Sequence, residues 1–158
     1  MNAMMNMDRR ALLRLLVVAS LGLAVGLPLA ARAAEKSATV AVEVVRASKA
    51  DGPTDPKAEA IRQQMGDFAY KSFRHLATRT TSVDLKASRE VDLVDGKKLR
   101  VTFRQVDKDG RARLQLAIPG VIDTVVSLAP GGTVVLGGPA LPSGDGVLFV
   151  PVTLRSMK

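Results

Sequence analysis

The chain has 158 residues, with 23 Lys and Arg against 15 Asp and Glu, and it has no cysteine. The lack of cysteine excludes a disulfide framework, a cysteine-ligated zinc site and a thiol nucleophile. One Tyr, four Phe and no Trp offer too few rings for a base-stacking surface, so no nucleic-acid partner is expected.

An export signal is predicted at the start of the chain. A basic head precedes an uncharged apolar run over residues 15–31, and Ala31 and Ala33 stand as the small −3 and −1 residues of a cleavage site. The cut is expected before Ala34. The alternative is an uncleaved membrane anchor, which is disfavoured because a span needs about 20 apolar residues and Pro28 interrupts this run.

The basic head contains the adjacent arginines Arg9 and Arg10, with Asp8 before them and Leu12 and Arg14 after them. This segment resembles the twin-arginine export signal. Leu12 stands where that signal prefers Phe, Arg14 where it prefers Lys, and Asp8 where it prefers a hydroxyl residue. The resemblance implies export by the twin-arginine route, and the general secretion route is the alternative.

Residues 34–158 are expected to form a single β-rich globular domain without a transmembrane segment. The protein would then work in the periplasm, in the cell envelope or outside the cell. Removal of the leader's four Arg and one Asp lowers the net charge from +8 to about +5. That positive balance favours association with anionic surfaces.

The first half of this domain predicts a strand, a helix and a second strand. Alternating apolar and polar residues indicate a strand over residues 37–47. One helix is predicted over about residues 56–67, because Asp55 can cap its free N–H groups and Pro56 has no N–H to leave unpaired. Residues 70–80 favour a strand, with continuation of the helix as the alternative.

The second half predicts antiparallel β-structure with turns at Asp95-Gly96 and at residues 107–110. Pro151 lacks an N–H, so the last strand is expected at an edge or with a bulge there. The fold class is therefore α+β, mainly β: a single antiparallel sheet or a small β-sandwich of about seven or eight short strands with one helix. The predicted strands in this half are 87–93, 99–104, 112–118, 121–128, 133–136 and 147–154.

No catalytic, cofactor-binding or metal-binding residues are predicted. His75 is the only histidine, so it lacks the companions that a zinc site needs. Asp107-x-Asp109-Gly110 resembles the middle of a calcium loop, but Leu116 occupies the position where a carboxylate belongs. The glycine-rich segments beyond residue 130 are not followed by a predicted helix, as a phosphate loop requires.

A possible anion-facing patch is predicted on the outer face of the hairpin over residues 99–118. If Phe103 faces Leu114, Arg104 lies directly opposite Arg113. Like charges in a cross-strand pair are unfavourable, so a partner is expected. The residues assigned to this patch are Arg100, Arg104, Arg111 and Arg113.

The alternative for this face is internal compensation by the preceding acidic strand. Pairing Leu93 with Leu99 would set Asp92 opposite Arg100 and Glu90 opposite Thr102. The face would then be a solvated surface of mixed charge.

The sequence predicts an exported, non-catalytic binding or assembly module of the bacterial cell envelope. Its partner would be an unknown protein or an anionic envelope polymer. Contact would occur through a sheet face, an exposed edge strand or the loop at residues 137–146. The alternatives are an enzyme with an unrecognised carboxylate site and a structural subunit of an envelope complex.

Overall fold

The structure is a computed structural model that describes residues 36–65, 70–141 and 144–158. The predicted signal peptide lies outside these residues. Arg9, Arg10, Ala31, Ala33 and Ala34 therefore have no structural description, and the export signal and its cleavage site stay predictions.

The described chain forms eight strands in two four-stranded antiparallel sheets. The first sheet has the order β2-β1-β8-β7 and the second has the order β3-β4-β5-β6. The strands are β1 Ser37–Ser48, β2 Ser72–Asp84, β3 Ser88–Asp92, β4 Lys98–Val106, β5 Ala112–Ile118, β6 Ile122–Leu128, β7 Thr133–Ala140 and β8 Gly146–Met157.

One face of each sheet contributes to a shared apolar core. Of the two predicted architectures, a single sheet and a small β-sandwich, the fold is therefore the sandwich. Every second residue of β5 is buried, and Val40 and Val42 of β1 belong to the same buried cluster as Leu114 and Leu116. Full burial of a side chain such as Leu114 stabilises the fold by roughly 1.5–3 kcal/mol. The alternation in β5 and in the first part of β4 leaves their other face free to carry polar residues.

Within each sheet, strands that are consecutive in the chain are hydrogen-bonded neighbours. The second sheet is a continuous meander, and β1 pairs with β8, so that Ser37 and Lys158 exchange backbone hydrogen bonds of 3.0 and 2.9 Å. The chain passes from the first sheet to the second just after β2. There the N–H of Lys86 donates to the carbonyl of Phe103 over 2.6 Å.

The predicted helix covers one end of the first sheet. A 3-10 turn over Pro56–Ala58 precedes the α-helix α1, Glu59–Met65. Residues 66 and 67 of the predicted helix lie outside the described residues. The Asp55 side chain accepts a hydrogen bond from the Lys57 N–H over 3.0 Å, which confirms the predicted cap.

The helix packs on the sheet face that points away from the main core. Ala58 and Ile61 are buried in a second apolar cluster with Phe73 of β2 and Phe149 of β8. Tyr70 meets Phe149 edge to face, with ring centroids 5.8 Å apart. In the part of the chain that the structure describes, no helix has the length and apolar character needed to cross a membrane.

Several predicted boundaries need correction. The strand predicted over residues 70–80 is confirmed with shifted ends, Ser72–Asp84, and the alternative of a continued helix is wrong. β7 runs to Ala140, so the connection to β8 is shorter than the predicted 137–146 loop. Pro151 lies in β8, between β1 and β7, and the prediction of an edge or bulge there is wrong. Proline has no N–H to donate to the neighbouring strand, and next to it Glu43 and Val44 of β1 have no paired residue on β8.

Candidate anion-binding site

β4 and β5 hold the predicted basic residues on the outer face of the second sheet. Leu114 points into the core, so its neighbour Arg113 points outward, and Arg111 precedes the strand with the same parity. Thr102 pairs with Gln115 and Phe103 with Leu114, as predicted. Arg111 and Arg113 are both exposed.

A register shift between Phe103 and Gln105 changes the predicted arginine pair. Arg113 pairs with Gln105, so Arg104 is the extra residue of a β-bulge and does not lie directly opposite Arg113. In a bulge, two residues of one strand oppose a single residue of the partner. The bulge therefore separates the two guanidinium groups by register while keeping both on one surface.

The acidic strand β3 is shifted by two residues from the predicted register. Val91 pairs with Leu99, and Glu90 lies opposite Arg100. The turn between β3 and β4 is shorter than predicted, because the Leu93 N–H donates to the carbonyl of Lys97 over 2.8 Å. A shift by an even number of residues leaves each side chain on its original face. The acidic side chains of β3 therefore still lie on the same face as the basic side chains of β4, as predicted, but they pair with different residues.

Arg100 is consequently neutralised within the sheet. Its guanidinium lies 3.1 Å from the Glu90 carboxylate, and Lys98 lies 3.3 Å from the same group. The hydrogen bonds from Arg100 and then Lys98 lower the pKa of Glu90 below its usual value. Arg100 is thus a compensated member of the predicted patch.

The remaining arginines form what we call the outer basic face, defined as Arg104, Arg111 and Arg113. Arg104 and Arg113 line one shallow depression of about 350 Å³ together with Gln105 and Val125. Within the described residues, none of the three arginines has a carboxylate in ion-pair distance. Val125 is 40% exposed and adds apolar surface to this depression.

Asp107 lies close enough to this face to interact with Arg113 and Arg111. Its carboxylate accepts a hydrogen bond from Ser127 over 2.7 Å and another from Gln105 over 3.3 Å. These bonds, followed by the positive charges of Arg113 and Arg111, lower the pKa of Asp107. Asp107 therefore stays ionised at neutral pH and is bound by uncharged donors, while the guanidinium groups remain available.

A second basic cluster was not predicted from the sequence. Arg46 of β1 pairs directly with Arg74 of β2, and both line a pocket of about 280 Å³. The strand patterns placed each arginine on a strand. They did not show that the two strands pair, because the chain segment containing α1 separates them. A long connection leaves strand register undetermined by local signals.

The structure also places the other residues that the sequence analysis singled out. His75 lies on β2 with its Nε2 2.8 Å from the hydroxyl of Thr78. Asp107 and Asp109 share a shallow depression with Arg113. Over the residues that have a described position, no group of three or more His, Asp or Glu side chains could hold a metal ion.

Comparison with known proteins returned no relative. No protein-family model matches this chain, and no curated protein and no solved structure matches it significantly.

Proposed function

We propose that this protein is an exported, non-catalytic binding module of the bacterial cell envelope that binds an anionic envelope polymer through the outer basic face. The observation that carries this proposal is the shared depression lined by Arg104 and Arg113. The predicted export signal supports the compartment, and the guanidinium groups that form no ion pair among the described residues support a negatively charged partner.

The contrast between neighbouring arginines supports a binding role. Arg100 has Glu90 at 3.1 Å, whereas Arg104 and Arg113 have no such partner among the described residues. A face intended only for solvation could be compensated along its whole length, as the start of β4 is where Lys98 and Arg100 meet Glu90. Planar guanidinium groups also bind carboxylate and phosphate in a bidentate manner, which suits acidic polymers.

The alternatives receive less support from the described residues. A carboxyl group that serves as a general acid needs a raised pKa, and that of Asp107 is lowered. A structural subunit would be favoured by a continuous apolar patch. The large apolar side chains exposed in the described chain are Leu76 on β2, Val121 on the β5–β6 turn and Val125 on β6.

The test compares two double variants that lose the same charge. The first is Arg104→Gln with Arg113→Gln, and the control is Arg79→Gln with Arg89→Gln. Arg79 and Arg89 are also exposed strand residues, but they lie outside the depression. Binding to heparin resin at low salt, with heparin as the acidic polymer, is measured by the salt concentration of elution.

The first double variant should elute at a clearly lower salt concentration than the native protein, because it loses two exposed charge contacts that each contribute roughly 0.2–1 kcal/mol to binding. The control should elute nearly where the native protein does. Equal losses in both variants would mean that overall charge drives retention, and the proposed site would be rejected. Unchanged retention in the first variant would reject it as well.

A further inference from the structure

The pocket between the arginines of β1 and β2 is a site of its own. Arg46 and Arg74 are direct cross-strand partners, and such partners hold their Cβ atoms about 5 Å apart on one face of the sheet. Arg46 is half-buried and Arg74 is exposed. Like charges in this arrangement repel one another, so the pair is more stable when an anion lies between them.

The nearby acidic group does not neutralise this pair. Asp51 lines the same pocket, but its carboxylate lies 3.1 Å from the ammonium group of Lys71. Neither Arg46 nor Arg74 has an ion-pair partner in the described ranges. Among the described residues, the pocket therefore keeps two guanidinium groups that form no ion pair.

The wall of the pocket is held in position by two serine side chains. Ser72 donates its hydroxyl hydrogen to the carbonyl of Ala50 over 3.1 Å, and Ser48 accepts from the N–H of Ala50 over 3.1 Å. Because Ser48 acts as an acceptor there, its own O–H is free to donate to a ligand. A wall fixed before binding lowers the entropy cost of taking up a ligand.

We propose that this pocket binds a phosphomonoester dianion between Arg46 and Arg74. Each guanidinium carries five N–H donors in a planar fork, which matches the oxygens of a phosphate group. A phosphomonoester carries a charge of about −1.5 to −2 at neutral pH, which balances two arginines, whereas a single carboxylate balances one. The volume of about 280 Å³ leaves room for part of the esterified alcohol.

This site is independent of the outer basic face. Arg46 and Arg74 lie on the first sheet, and Arg104 and Arg113 lie on the second. The Arg104 and Arg113 double variant should therefore keep its response to phosphate. Failure of one proposal leaves the other intact.

The experiment measures thermal unfolding of the purified protein with and without inorganic phosphate, at constant ionic strength. The variants are Arg46→Gln and Arg74→Gln, and the matched control is Arg79→Gln. Arg79 lies on the same strand as Arg74, but its partner is Val42 and it does not line the pocket. Titration with phosphate gives an apparent dissociation constant for each protein.

Phosphate should raise the unfolding temperature of the native protein and of Arg79→Gln equally. Loss of either pocket arginine should weaken phosphate binding about tenfold or more, as expected for a charge-assisted hydrogen bond. Phosphate also stabilises proteins by exclusion from their surfaces. An identical gain in all four proteins would show only that general effect and would overturn the proposal.

Vesicles identify the source of the phosphomonoester. The native protein is mixed with phosphatidylcholine vesicles with and without phosphatidic acid, whose headgroup is a phosphomonoester. Binding that needs phosphatidic acid, is lost in Arg74→Gln and is competed by inorganic phosphate indicates a lipid headgroup. A phosphate response without vesicle binding indicates a soluble phosphomonoester, and absence of both overturns the proposal.

Discussion

Gly146 is the position where the pairing of the first and last strands tolerates no side chain. It pairs with Ser48 where β8 begins, and a Cβ built there would overlap the carbonyl oxygen of Ala47. The Gly146 Cα, which would carry the new Cβ, and the Ala47 carbonyl both belong to the backbones of two hydrogen-bonded strands. We therefore expect Gly146→Ala to push β8 away from β1 instead of causing a local side-chain adjustment.

The cost can be estimated from the consequences of overpacking. Forcing extra carbon into a packed region costs typically about 1–3 kcal/mol, and a backbone clash lies at the upper end. A loss of about 3 kcal/mol in a domain of this size lowers the unfolding temperature by roughly 10 °C. The free energy of unfolding is measured by urea titration followed by far-ultraviolet circular dichroism.

Gly137→Ala is the matched control for this variant. Gly137 lies on β7, which pairs with β8, and a Cβ added there would meet nothing within 4 Å. Its free energy of unfolding should stay within about 0.5 kcal/mol of the native value. If Gly146→Ala unfolds at the same urea concentration as Gly137→Ala, the close approach of β8 to β1 is wrong.

Three further outcomes are expected. Phe103→Ala should lower the free energy of unfolding by about 3–5 kcal/mol in the same urea assay, because Phe103 is fully buried in the shared core. Glu90 has a lowered pKa owing mainly to Arg100, so its ion pair stabilises the protein above the unfolded-state pKa of Glu90. That contribution should disappear as the pH falls through the folded-state pKa, and Glu90→Gln should show a smaller loss of stability on acidification. Replacing Arg9 and Arg10 by lysine should block export if the twin-arginine route is used, and normal periplasmic recovery would exclude that route.

The β-bulge in β4 has consequences for both stability and binding. Without it, Arg104 would lie directly opposite Arg113, and the repulsion between like charges would act across one pair. The shift between Phe103 and Gln105 gives Arg113 an uncharged partner and keeps Arg104 on the rim of the same depression. The bulge thus relieves repulsion while it keeps two guanidinium groups accessible.

The candidate sites illustrate two different limits of sequence reasoning. The outer basic face was predictable because β4 and β5 are joined by a short turn, so alternation and turn position define which residues share a face. The exact partners were not predictable. A bulge and a shift by two residues leave the alternation of buried and exposed positions almost unchanged.

The pocket at Arg46 and Arg74 depended on a longer-range pairing. Both arginines lie on strands that were predicted, but a loop and α1 separate the strands in the chain. Nothing in the local pattern indicates which residue of β2 meets Arg46. The prediction for Pro151 was wrong for the same reason. Whether a strand is central or at the edge of a sheet depends on strands that are distant in sequence.

The sequence by itself determined the mainly β class, the capped helix after Asp55 and the outward direction of Arg113 on β5. These features depend on the two-residue period of strands, on capping chemistry and on turn residues, which are all local. Only the tertiary structure decided that the sheets form a sandwich, that β8 lies between β1 and β7, and that Arg46 meets Arg74. Those features require burial of one sheet face against another and pairing between distant segments, and residue spacing along the chain does not encode either.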